Sequence, residues 1–164
     1  MHMIQKFLLP ALLLLIVVGT VPADDEVPAF PGPFPVADFE LAELEGKVVL
    51  VDFWASWCEP CRHSLPWLNA MQRTYQDQGL QVVMINLDKD LTAAETMAVD
   101  LDADIRQYLD PAGELATRYA LEGMPSSFLY DRSGQLISSH VGFLKADGPK
   151  REKAIVKALE KEAQ

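Results

Sequence analysis

Apolar positions along this chain change period at a few sharp places, and those changes divide it into elements. Val48-Val49-Leu50-Val51, continued by Phe53 and Trp54, runs without alternation. A half-exposed strand would alternate apolar and polar residues, so the run predicts a strand covered on both faces. Asp52 interrupts it. Leu65, Leu68, Met71 and Tyr75 then recur at helical spacing, predicting a helix that runs to about Gln78 and stops at Gly79. Residues 80–87 form a second buried run, and the order strand, helix, strand predicts a right-handed parallel crossover. Residues 92–101 read as a helix with Thr92 as N-cap and Glu95 at capping-box spacing. Residues 102–104 break it, 105–109 are a short extended piece, and 110–113 open a further helix through Tyr119 and Ala120.

Two β-rich runs, 127–130 and 135–141, flank Asp131-Arg132-Ser133-Gly134, a hairpin signal with glycine in the turn. A hairpin makes the sheet mixed. Residues 149–161 close the chain as an amphipathic helix with Ile155, Val156 and Leu159 on its apolar face. Ahead of the first buried strand, residues 36–41 suit an edge strand and 42–46 a helical turn ending at glycine. The fold class expected is α/β, with a central mixed sheet between helical layers.

The N-terminus has a different pattern. Lys6 precedes an apolar run from Phe7 to Val18, then Val21-Pro22-Ala23 and the acidic Asp24-Asp25-Glu26. A core this short falls below the roughly twenty residues of a spanning helix, and small residues at positions 21 and 23 form a cleavage site. Residues 1–23 therefore read as a signal peptide, with an uncleaved anchor as the alternative, and localisation is expected to be periplasmic. Residues 24–35 are rich in proline and form a linker to a single domain over 36–164.

Composition narrows the function. A hydrophobic fraction of 49% supports a packed core rather than disorder. Formal net charge is −10, becoming −11 without residues 1–23, so the surface repels nucleic acid and anionic lipid. Cys58 and Cys61 are the sole cysteines. Two thiols so close cannot staple distant segments, so they read as a catalytic pair even in an oxidising compartment. The pair lies where a buried strand passes into a helix N-terminus, whose unpaired N–H groups and dipole favour a thiolate, the attacking species in disulfide exchange. Residues three apart in a first helical turn share a face, close enough for a small disulfide ring. A metal site is the alternative, but structural zinc wants four ligands, and His63 and His140 alone could join the cysteines once the leader is gone. No cofactor is expected.

Around the pair, Asp52-Phe53-Trp54-Ala55-Ser56-Trp57-Cys58-Glu59-Pro60-Cys61 resembles the active-site segment of thioredoxin-fold proteins. The Cys-Glu-Pro-Cys version behind an export leader most resembles the exported TlpA/ResA group of thiol-disulfide oxidoreductases. Asp52 six residues before Cys58, Pro66 five after Cys61, and Met124-Pro125 downstream make the likeness specific, from about Val36 to the C-terminus. It implies a thioredoxin-like three-layer sandwich and a Cys58–Cys61 disulfide, with Cys58 attacking and Cys61 resolving. Asp52 would relay the proton of Cys61 from beneath it, and Met124 before a cis Pro125 would offer its backbone to an incoming peptide. Trp57, Glu59 and Pro60 complete the substrate-facing loop. A carboxylate at Glu59 should oppose ionisation of Cys58, which favours a reductant over an oxidant.

The chain departs from the group at two positions. Ser64 stands where many ResA-type members have glutamate, and Met84 where thioredoxin has a lysine near its aspartate. Both place more of the proton relay on Asp52 and argue against a role in cytochrome c maturation. The expected function is reduction of disulfides in periplasmic proteins, as a monomer drawing electrons from a membrane-embedded donor of the thiol-reductase type. The alternatives are a periplasmic disulfide oxidant or isomerase, and a thiol-based copper or zinc chaperone.

Overall fold

The computed structural model describes residues 44–161. The leader, the linker and the edge strand expected over 36–41 lie outside the described residues, as does the start of the turn expected over 42–46; Gly46 closes that turn at φ 80°.

Among the described residues five strands form one sheet: β1 (Val48–Trp54), β2 (Leu80–Asn86), β3 (Arg106–Leu109), β4 (Ser126–Tyr130) and β5 (Leu136–Val141), in spatial order β3-β2-β1-β4-β5. Both β2 against β1 and β3 against β2 are parallel, whereas β4 joins β1 and β5 joins β4 antiparallel. The sheet is mixed, as the hairpin predicted. Its centre is β1, buried at every residue, which is why the sequence there carries no alternation. The edge strands β3 and β5 do alternate, each with half-buried and exposed residues in turn.

Among the described residues four α-helices cover the sheet: α1 (Cys61–Tyr75), α2 (Leu91–Ala98), α3 (Glu114–Arg118) and α4 (Gly148–Glu160). Alternate residues of β1 serve two cores. Val48, Leu50 and Trp54 pack with Leu65, Leu68 and Met71 of α1, Ala94 of α2 and Ile155 and Ala158 of α4. Val49, Val51 and Phe53 pack on the other face with Leu115 of α3, Tyr119, Phe128 and Tyr130. This is the α/β three-layer sandwich that the resemblance implied. Among the described residues no helix is long and apolar enough to cross a membrane.

Several boundaries differ from the sequence-based expectations. Helix α1 gives way to a 3-10 turn, Gln76–Gln78, which Gly79 terminates at φ 99°. A side chain there would be strained by φ and would also meet the Arg132 guanidinium at 2.7 Å. Helix α2 begins one residue before Thr92, because Asp90 is the N-cap and its carboxylate accepts from the Thr92 N–H at 3.0 Å. Helix α3 is a short piece, opened by Asp110, whose carboxylate accepts from the N–H groups of Glu114 and Ala116. In α4 the buried stripe is Gly148, Arg151, Ile155 and Ala158, with Val156 and Leu159 half-buried. An arginine in that stripe was not expected from apolar periodicity.

Candidate active site

Strand β1 ends at Trp54, and the chain reaches α1 through a tight turn over 55–60. Successive turn bonds run from Cys58 N–H to Ala55 C=O, from Cys61 N–H to Cys58 C=O, and from Arg62 N–H to Glu59 C=O. The helix proper therefore starts at Cys61, with Pro60 as its N-cap, and Cys58 lies just ahead of it rather than within its first turn. Cys58 gains less from the helix dipole than the sequence suggested, because that field falls off within the first turn.

The turn is held from below by a residue that sequence reading passed over. Asp88, 3% exposed, accepts from the Ser56 N–H at 2.7 Å and from its hydroxyl at 2.8 Å, and is itself fixed by Asn86 Nδ2 at 2.7 Å. Buried charge-assisted bonds of this kind position a loop firmly. The signal available in the sequence was an aspartate directly after a buried strand, which reads equally well as a strand terminator.

Cys58 and Cys61 are joined in a disulfide, with Cα atoms 5.3 Å apart. Cys58 retains 5% exposure and Cys61 none, so an incoming group can reach Cys58 alone. An open groove of about 500 Å³ runs past Cys58, lined also by Trp57, Glu59, Pro60, Leu87, Ala116, Leu121, Glu122, Gly123 and Met124. Trp57 is 68% exposed, an indole held in solvent beside the sulfur. The Met124–Pro125 peptide is cis, Met124 forms the groove wall facing Cys58, and Pro125 is buried behind it. Glu59 pairs with Arg62 at 3.3 Å, but both are too exposed for the pair to hold the turn.

Asp52 points to the face of β1 that carries Leu50, Trp54, α1 and Cys61, as alternation requires. It is 2% exposed, and its Oδ1 has no hydrogen-bond partner. Burial raises its pKa well above the ordinary carboxylate value, and the positive charge of Arg151 pulls it partway back. A carboxyl so placed holds its proton more tightly than an exposed one, in the layer that also contains Cys61. Its register neighbours are Met84 on β2 and Ser127 on β4, neither of them charged. Ser64 is also buried, and its hydroxyl donates to the Cys61 carbonyl at 3.1 Å, so no second acid stands in that turn.

His63 is exposed, and His140 lines a separate small cavity with Ser127 and Arg151. Neither imidazole lines the groove at Cys58, and among the described residues no three His, Cys, Asp or Glu side chains group as metal ligands.

Comparison with known proteins agrees with this geometry. The profile of the family described as Redoxin matches residues 22–159. Thiol-disulfide oxidoreductase ResA of Bacillus thuringiensis subsp. konkukian is 29% identical over 103 residues, 63% of this chain and 60% of the relative. The chain thus matches about 60% of the length of such relatives. Among solved structures, a Chlorobium tepidum protein provisionally designated thiol:disulfide interchange protein DsbE is 44% identical. That match covers 73% of this chain and 84% of the other, with a TM-score of 0.68. StoA from Bacillus subtilis is 25% identical, covering 66% and 84%, with a TM-score of 0.55.

Proposed function

The chain belongs to the Redoxin family, and from that premise we propose that it is an exported thiol-disulfide oxidoreductase that reduces disulfides in other proteins. The observation that carries this reading is the asymmetry of the pair: Cys58 opens on a groove, while Cys61 lies sealed beneath it in the core layer that also receives Asp52.

In the reduced protein the Cys58 thiolate attacks one sulfur of a client disulfide, giving a mixed disulfide and releasing the other client sulfur as a thiolate. Cys61 then passes its proton to the Asp52 carboxylate and attacks Cys58. The Cys58–Cys61 disulfide forms, and the second client sulfur leaves and takes its proton from solvent. Two electrons have moved from the dithiol to the client. Trp57 and Met124 give the groove its apolar walls, and the Met124 backbone is the docking edge for an extended client segment.

Direction follows from the weak support given to the Cys58 thiolate. The sulfur lies ahead of the helix and next to Glu59, so the dithiol form is not specially stabilised and its electrons are readily given up. Export rests on Lys6, the apolar run from Phe7 and the small residues before Asp24. A reductant outside the cytoplasm must be recharged across the membrane, so a membrane-embedded thiol reductase is the partner assigned, acting on a monomer. Equilibration against glutathione buffers, with trapping of the thiol state in cells, tests the direction. A potential near that of thioredoxin, about −270 mV, with the pair reduced in cells supports it; one near about −120 mV with the pair oxidised would make the protein an oxidant.

A further inference from the structure

The register places three polar residues side by side across the sheet. Asp52 on β1 is the partner of Ser127 on β4, and Ser127 is the partner of His140 on β5. Partners across antiparallel strands point to the same face, so all three face α4. There α4 sets Arg151, 8% exposed, whose Nη1 donates to Ser127 Oγ at 3.3 Å and Nη2 to the Gly142 carbonyl at 2.7 Å. The guanidinium carbon also lies 5.2 Å from the centre of the Phe143 ring. The head group is therefore fixed one residue away from Asp52, in the layer that contains Cys61.

Resting on the exchange reading above, we propose that Arg151 is a positioning residue of the site, the buried counter-charge of Asp52. It acts through the carboxylate and touches no client.

Arginine suits this place because it stays charged when buried and keeps a fixed fork of donors. The groups facing Asp52 leave it no rival. Strand β2 offers Met84, β4 offers Ser127, and α1 offers the Cys61 thiol of the reduced form. His140 lies one strand further out, and burial together with Arg151 and Lys150 holds its imidazole toward the neutral form, against the pull of Asp147. The cavity beside Arg151 is about 10 Å³, about one probe sphere, so solvent screens the guanidinium little. An unpaired carboxylate buried under an apolar layer would stay protonated and could not accept the Cys61 proton. With the Arg151 charge held in the same layer through Ser127, the ionised form becomes more accessible.

The test is a ¹³C NMR titration of the Asp52 carboxyl, assigned through Asp52→Asn, in the wild type, Arg151→Gln and Arg151→Lys. Glutamine keeps a donor for the Gly142 carbonyl while removing the charge. The expected result is a rise of about one pH unit or more in the Asp52 midpoint in Arg151→Gln, with the pH profile of Cys61 resolution moving upward in parallel. Arg151→Lys is expected to restore most of the shift. An unchanged Asp52 midpoint in Arg151→Gln, or a lysine variant that moves as far as glutamine, would overturn the proposal. Should the glutamine variant fail to fold, Ser127→Ala carries the test: the bond goes, the charge stays, and a midpoint within about half a unit of wild type is expected, whereas a full shift would overturn the charge role. The titration needs no client. A midpoint that moves with no change in exchange rate supports the counter-charge and refutes the relay assigned to Asp52.

Discussion

The two faces of β1 use one strand for opposite purposes. Toward α3, Val49, Val51 and Phe53 meet a shell of aromatic rings: Phe53 contacts Tyr119 at 4.9 Å and Phe128 at 6.0 Å between centroids, both edge-on. Toward α1 and α4, the same strand breaks an equally apolar stripe with Asp52 and closes it over with Arg151, Ser127 and Ser64. One face is closed by aromatic rings, and the other holds a desolvated carboxyl. Real proteins depart from local consistency where function demands it, and within β1 the buried carboxyl lies on one side of the strand.

Substitutions on the two faces should therefore separate stability from exchange. The largest loss is expected from Phe53→Ala, about 3–5 kcal/mol in chemical denaturation, from the cavity and the lost edge-on contacts. The variant should keep the wild-type pH profile of exchange wherever it remains folded. A changed profile would mean that the faces are coupled.

Asp52→Asn should do the reverse. Its folded-state pKa is raised, so between the ordinary carboxylate value and the raised one the folded protein binds more protons than the unfolded chain, and stability falls as pH rises. Asparagine has no such loss. The variant's advantage should be absent below the carboxylate range, widen by up to about 1.4 kcal/mol per pH unit inside that window, and stay level above it. Exchange should slow at the Cys61 step. Urea melts at several pH values decide it, and equal pH slopes for the two proteins would show that Asp52 ionises freely.

Asp110→Ala lies on the aromatic side, where the carboxylate holds the start of α3, and should cost about 1 kcal/mol with exchange intact. The smallest expected effect on stability is that of Trp57→Ala, within about 0.5 kcal/mol, since the indole is mostly in solvent. Its effect should fall instead on KM for a protein client, read in a coupled reduction assay.

The difference between the faces also explains what the sequence made legible. Elements whose burial is apolar were visible: the unbroken run of β1, the stripe of α1 and the hairpin at Asp131-Arg132-Ser133-Gly134 all match the structure. The cysteine pair was visible because its spacing is local. What stayed hidden depends on partners distant in sequence. Arg151 carried no signal, since nothing along the chain shows that β4 and the Gly142 carbonyl come to meet it. Asp88 looked like the end of a strand, since its duty is to Ser56, thirty-two residues earlier. The start of α1 was misplaced by about a turn because turn bonds and helix bonds share donors there, a distinction apolar spacing does not carry.

The central claim, exchange through an attacking sulfur that opens on the groove and a sealed resolving one, is tested most directly by trapping mixed disulfides with single cysteine variants. Cys61→Ser should accumulate covalent complexes with client proteins through Cys58, visible on non-reducing gels and lost on reduction, because attack proceeds while the releasing thiol is gone. Cys58→Ser should trap far fewer, its remaining sulfur being fully buried in the folded protein. Equal trapping by both variants would contradict the asymmetry. No trapping by Cys61→Ser, together with stoichiometric copper or zinc in the wild type that either substitution removes, would replace exchange with metal carriage.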